Sequence, residues 1–123
     1  LINNMKRKYK NILCFDIDGV ICFTNRNNYI KSRPNKKSIK LINDLFDDNY
    51  YIKVFTSRFM GRSNQNISLA KKKGLSLTKN QLKKWGLKYH KLIMGKPSYD
   101  FFIDDKNLSF KKNWHGLLKK KLK

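Results

Sequence analysis

Glutamate is absent from this sequence: all eight acids are aspartate, set against 29 lysines and arginines. No stretch of about 18 apolar residues occurs, so a membrane span is not expected. The two cysteines, Cys14 and Cys22, are too few for a disulfide framework, and no CxxC or Cys/His spacing suggests a zinc site. Cys14 lies in an apolar run and reads as a small core residue. The basic start, residues 1–10, lacks the apolar stretch of a signal peptide, so the expected location is cytoplasmic. His90 and His115 have no neighbouring motif; His90 reads as a strand-end or surface residue. Trp85 and Trp114 read as core.

What is present is charge and pattern. The net charge is +21. Lys, Asn and Ile are abundant together, as an AT-rich genome would produce, and the lysines are spread along the chain. Compositional bias therefore accounts for much of the charge. The resulting field would still draw in an anionic substrate, and nucleic acid is a possible partner. The scarce acids are not spread evenly. Four sit in two pairs, Asp16/Asp18 and Asp104/Asp105, each behind an apolar run. Such clustering suggests a metal or acid–base site. Asp47 and Asp48 end a predicted helix and read as solvated.

At 123 residues the chain suits one domain, 1–123, with a basic N-terminal extension (1–10) and a frayed basic tail (119–123). Residues 11–17 read as a buried strand ending at the turn Asp18-Gly19. Residues 20–32 read as a short flap or hairpin. Pro34 is placed in the first turn of a helix whose apolar face is Ile39, Ile42, Leu45 and Phe46. Residues 51–55 read as a second strand. Two short helices follow, 67–73 stopped by Gly74 and 78–85 capped by Thr78 and stopped by Gly86. Residues 89–94 and 101–103 are further strand candidates. Phe110, Trp114, Leu117 and Leu118 form a possible inward face near the end. Alternating strands and helices predict an α/β fold with a mostly parallel sheet. Ligands in such sheets bind beyond the carboxyl ends of the strands. Asp16, Asp18, Thr56, Lys96, Asp104 and Asp105 all fall there.

Two carboxylates two residues apart at a strand end, with a glycine allowing a tight turn, can both approach one phosphorus. One can attack while the other handles the leaving group's proton. Phe15-Asp16-Ile17-Asp18-Gly19-Val20 resembles the first motif of the haloacid dehalogenase superfamily. Val54-Phe55-Thr56 resembles its second, Gly95-Lys96-Pro97 its third, and Phe102-Ile103-Asp104-Asp105 its fourth, in that order. Within the superfamily the chain looks most like the small, nearly capless phosphatases encoded with bacterial capsular polysaccharide genes. Pro34-Asn35, Thr56-Ser57-Arg58 and the overall size carry that likeness. The basic tail and high lysine content depart from it.

The resemblance implies a Rossmann-like fold with a minimal cap or none, and a Mg²⁺-dependent phosphomonoesterase. Asp16 would be the nucleophile, forming an aspartyl-phosphate, and Asp18 the general acid and base. Mg²⁺ would be held by Asp16, Asp18 through its carbonyl, Asp104 and Asp105. Lys96 would neutralise charge at phosphorus; Thr56, Ser57 and Gly19 would line the phosphoryl oxygens. Arg58 would bind a second substrate anion or pair at the surface. The implied substrate is a sugar phosphate or related small metabolite of surface polysaccharide synthesis, in a site left open or closed by a partner subunit. Two other readings stand beside it: a polynucleotide end phosphatase or nucleotidase, and a non-catalytic binding protein of the same fold.

Overall fold

The structure, a computed structural model, describes residues 8–123. Most of the expected N-terminal extension lies outside the described residues. Among the described residues three parallel strands form the sheet: β1 (Ile12–Phe15), β4 (Tyr51–Thr56) and β5 (Lys91–Met94), in the order β1-β4-β5. Two short strands, β2 (Cys22–Phe23) and β3 (Arg33–Pro34), pair antiparallel and build the expected flap. The helices are α1 (Lys36–Asp47), α2 (Ile67–Lys84) and α3 (Trp114–Lys121).

Parallel neighbours need a crossover, and α1 and α2 supply the two here. The chain moves the same way across the sheet both times, so right-handed crossovers put both helices on one face. The strand β4 shows the consequence. Ile52, Val54 and Thr56 are buried, while Tyr51, Lys53 and Phe55 between them are half-buried. The parallel register puts Leu13, Phe15 and Leu92 on the helix-covered face with Ile52 and Val54. There they pack with Ile39, Ile42 and Leu45 of α1 and Leu82 of α2. Ile12, Cys14, Phe55 and Ile93 belong to the opposite face and to neither buried cluster. Cys14 is therefore exposed, not core as expected. The helix α3 closes the β1 side: Trp114 and Leu118 join the core, and the His115 Nε2 lies 2.8 Å from the Ser38 Oγ at the start of α1.

Several expectations need correction. Pro34 lies in β3, not in a helix; Asn35 is the cap, its side chain accepting the Ser38 N–H. The two short helices are one. Gly74 does not stop α2 but lies buried in it, where a methyl group would collide with the Phe59 ring. Thr78 is likewise internal and buried, not a cap. Gly86 does end the helix, at φ +74°. Residues 101–103 form no strand: Phe101 is 86% and Ile103 91% exposed. Lys119–Lys121 belong to α3 and are not a frayed tail. Asp47 and Asp48 pair on the surface with Lys88 and Lys10. His90 is the expected strand-end residue, accepting the Ile52 N–H and stacking on Tyr51 and Phe46.

Candidate active site

The sequence after β1 turns sharply. The Ile17 carbonyl accepts from the N–H groups of Val20, Ile21 and Cys22, and the Gly19 N–H donates to the Cys22 carbonyl. Gly19 sits at φ +87°, a conformation costly for other residues. The loop is thereby fixed, and with it both aspartates. Asp16 accepts the Ile17 N–H on one oxygen at 2.8 Å; the other lies 3.6 Å from the Lys96 Nζ. Burial pushes the Asp16 carboxyl up, against the opposing pull of Lys96 and the Ile17 N–H. Lys96 follows the β5 end, where Gly95 takes φ +97° and the Lys96 N–H donates to the Thr56 carbonyl. Burial alone would depress the Lys96 ammonium, but Tyr99 and Asp16 outweigh it and hold it above its ordinary value. Its Nζ lies 5.3–6.0 Å from the ring centres of Phe102, Tyr99 and Phe55.

Asp18 is held differently. Arg58 grips both of its oxygens through Nε at 3.0 and 3.2 Å and one through Nη2 at 2.9 Å. The remaining Arg58 donors go to Gln81, Thr78, Ser32 and the Cys22 sulfur. Its guanidinium also lies 4.9 Å from the Tyr29 ring centre. Thr24 donates to the same Asp18 carboxylate and meets Ser32 at 2.7 Å. Flap, strand end and α2 are thus tied together through one buried guanidinium. The expectation that Arg58 binds a substrate anion or pairs at the surface is corrected: its side chain has no exposure and its donors are spent inside the protein.

The remaining expected residues divide. Asp16, Asp18, Gly19, Lys96 and Asp104 line one groove of about 760 Å³. Thr56 is not among the groove-lining residues: it is fully buried and its hydroxyl accepts the Arg58 backbone N–H, which corrects its expected place against a phosphoryl oxygen. Ser57 is half-buried in the turn beyond, where its carbonyl accepts the Met60 N–H. Asp104 accepts the Lys106 N–H, which together with Asp105 holds its carboxyl below the ordinary value. Asp105 is exposed and outside the groove lining. Among the described residues no three His, Cys, Asp or Glu side chains converge as a ready metal cage. Thr24, Ser32, Gln81 and Tyr99 carry no local motif, and each meets its partner only in the folded chain; Phe102 belongs to the fourth motif but is not singled out there as a ring beside Lys96.

No family model matches the chain, and no curated protein does. Solved structures do. A crystallised target protein from Vibrio cholerae superposes with a TM-score of 0.75 at 23% identity, covering 92% of this chain and 99% of that one. Two structures of the Pnkp1/Rnl/Hen1 complex, one described as an RNA repair complex, match with TM-scores of 0.54 and 0.51 at 17% and 15% identity. They cover 93% and 91% of this chain but only 33% and 30% of the larger chains. At these identities the likeness is one of fold: a mixed α/β unit, a whole protein in one case and about a third of a longer chain in the others.

Proposed function

We propose that this chain is a phosphomonoesterase of the haloacid dehalogenase type, working through an aspartyl-phosphate on Asp16. The observation that carries the reading is the pairing of two differently held carboxylates at one strand end. Asp16 is oriented by the Ile17 N–H with Lys96 beside its other oxygen, and Asp18 is clamped two residues on by Arg58. Attack by an Asp16 oxygen on phosphorus forms the acyl-phosphate bond and breaks the bond to the leaving oxygen, which takes a proton from the acid form of Asp18 and leaves the carboxylate that Arg58 grips. Asp18 then takes a proton from the water that attacks the phosphoenzyme, releasing phosphate and restoring Asp16. Lys96 offsets charge on the phosphoryl oxygens as it builds.

The donors around Asp16 fit a hard divalent cation. They are oxygens without an imidazole, and Mg²⁺ typically takes one or two carboxylates and leaves its other positions to water and substrate. Asp16, the Asp18 carbonyl and Asp104 would hold it, with Asp105 nearby. When bound, Mg²⁺ would supply positive charge between two anions that otherwise repel.

A sugar phosphate as substrate rests on the sequence resemblance to capsule-associated phosphatases. A polynucleotide end as substrate is supported by the fold shared with part of an RNA repair complex and by the +21 charge. Phosphate release from sugar phosphates, nucleotides and 3′- or 5′-phosphorylated oligonucleotides, with Mg²⁺ and with EDTA, ranks these. Mg²⁺-dependent release from at least one supports the phosphatase; no release from any refutes it.

A further inference from the structure

The helices α1 and α2 cover one face of the sheet, and the other face leads directly to Asp16. Cys14, Lys53 and Phe55, with Lys91 and Ile93 on the neighbouring strand, occupy that second face. Lys53 and Lys91 are register partners, so their side chains stand on adjacent strands about 4.8 Å apart. Among the described residues neither forms an ion pair, whereas Asp44, Asp47 and Asp48 are all matched to lysines. Lys53 lies three residues, or about 10 Å, before the Thr56 strand end. Past that end come Lys96 and the half-exposed Tyr99 and Phe102, whose rings tilt against each other at 5.0 Å. Lys106 lines the groove further on. Cations interleaved with accessible rings suit a strand of nucleic acid whose bases are unpaired, since every base offers a face to stack and every linkage a phosphate. A second copy of this chain fits poorly, because each copy would bring the same +21 charge.

We propose that the sheet face opposite α1 and α2 is a track for single-stranded nucleic acid. Its terminal phosphate reaches Asp16 while a base near the end stacks on Tyr99 and Phe102. The track rests on the phosphatase reading only for the fate of that phosphate.

The test is fluorescence anisotropy with labelled single-stranded RNA and DNA 10-mers bearing a terminal phosphate, over a salt series. Wild type is compared with the double variant Lys53→Glu/Lys91→Glu. The control is Lys72→Glu/Lys79→Glu, an equal charge change on the exposed side of α2. Reversing the sheet-face pair should weaken binding at least tenfold and lower the salt slope by about 1–2, given roughly 0.7 per phosphate contact on single strands. The α2 pair should change binding less than threefold. Phe102→Ala should weaken binding about five- to tenfold at high salt, where stacking dominates. Equal losses from both lysine pairs, or no measurable oligonucleotide binding, would overturn the track. Hydrolysis of p-nitrophenyl phosphate separates the two readings. A wild type that binds through Lys53 and Lys91 yet releases no phosphate supports the track and overturns the phosphatase. One that hydrolyses this small ester while both lysine reversals behave alike overturns the track and leaves the phosphatase standing.

Discussion

Replacing Arg58 with methionine should unfold the chain more readily and disable Asp18 at the same time. Methionine fills much of the same space, so the change removes mainly polar contacts. The fork on Asp18 disappears, and Gln81 loses the N–H that its Oε1 accepts. Breaking a fully buried ion pair costs about 3–5 kcal/mol. The Asp18 side chain keeps 27% exposure, and water can re-solvate part of it, so the lower end, about 3 kcal/mol, is expected. With an unfolding entropy of roughly 2.1 cal/mol/K per residue, that lowers Tm by about 12 °C. Urea melts of wild type, Arg58→Met, Asp18→Asn and the double variant close a cycle whose coupling should be about 2 kcal/mol. A surface or substrate-binding arginine gives another pattern: stability within about 0.5 kcal/mol of wild type and a raised KM. Observing that pattern would refute the buried clamp.

Gly74→Ala should destabilise by about 1–3 kcal/mol in urea melts despite alanine's better helix propensity, because its methyl group meets the Phe59 ring. Asn35→Ala should cost about 1 kcal/mol by removing the cap of α1, while Asn35→Asp should retain most of the stability. Acidification should weaken the fold. Burial, and the lysines near it, hold His115 below its ordinary value, and burial with Lys8 does the same to His90. As pH falls through about 6.5 the unfolded chain takes up protons before the folded one, so stability drops, and it levels off once the folded histidines are protonated. The urea midpoint should be lower at pH 5 than at pH 7.5, and His115→Gln should shrink that difference.

Local pattern revealed much of this arrangement. The apolar run before Asp16, the strand over 51–55 and the stop at Gly86 need only neighbouring residues to be read, and the structure agrees with them. Features that depend on distant partners were hidden. Gly74 looks like a helix stop until Phe59 is folded against it. Arg58 looks like a surface cation until Asp18, 40 residues away, is brought beneath it. Pro34 has the right chemistry for a first helical turn, yet Asn35 supplies the cap and the proline joins a two-stranded flap. Residues 101–103 have strand-like composition but no strand partner, and the sequence alone does not show that. The grouping of Asp16, Asp18 and Lys96 in one candidate groove was legible because all three sit where parallel strands end. What holds Asp18, and which rings surround Lys96, was not.

The most direct measurement is Mg²⁺-dependent phosphate release by wild type and Asp16→Asn, with circular dichroism and urea melts confirming that both are folded. With Asp16 as the nucleophile, wild type should release phosphate and the asparagine variant should lose at least a thousandfold, about 4 kcal/mol of barrier. Asp16→Asn that is folded and still turns over at the wild-type rate would contradict that role.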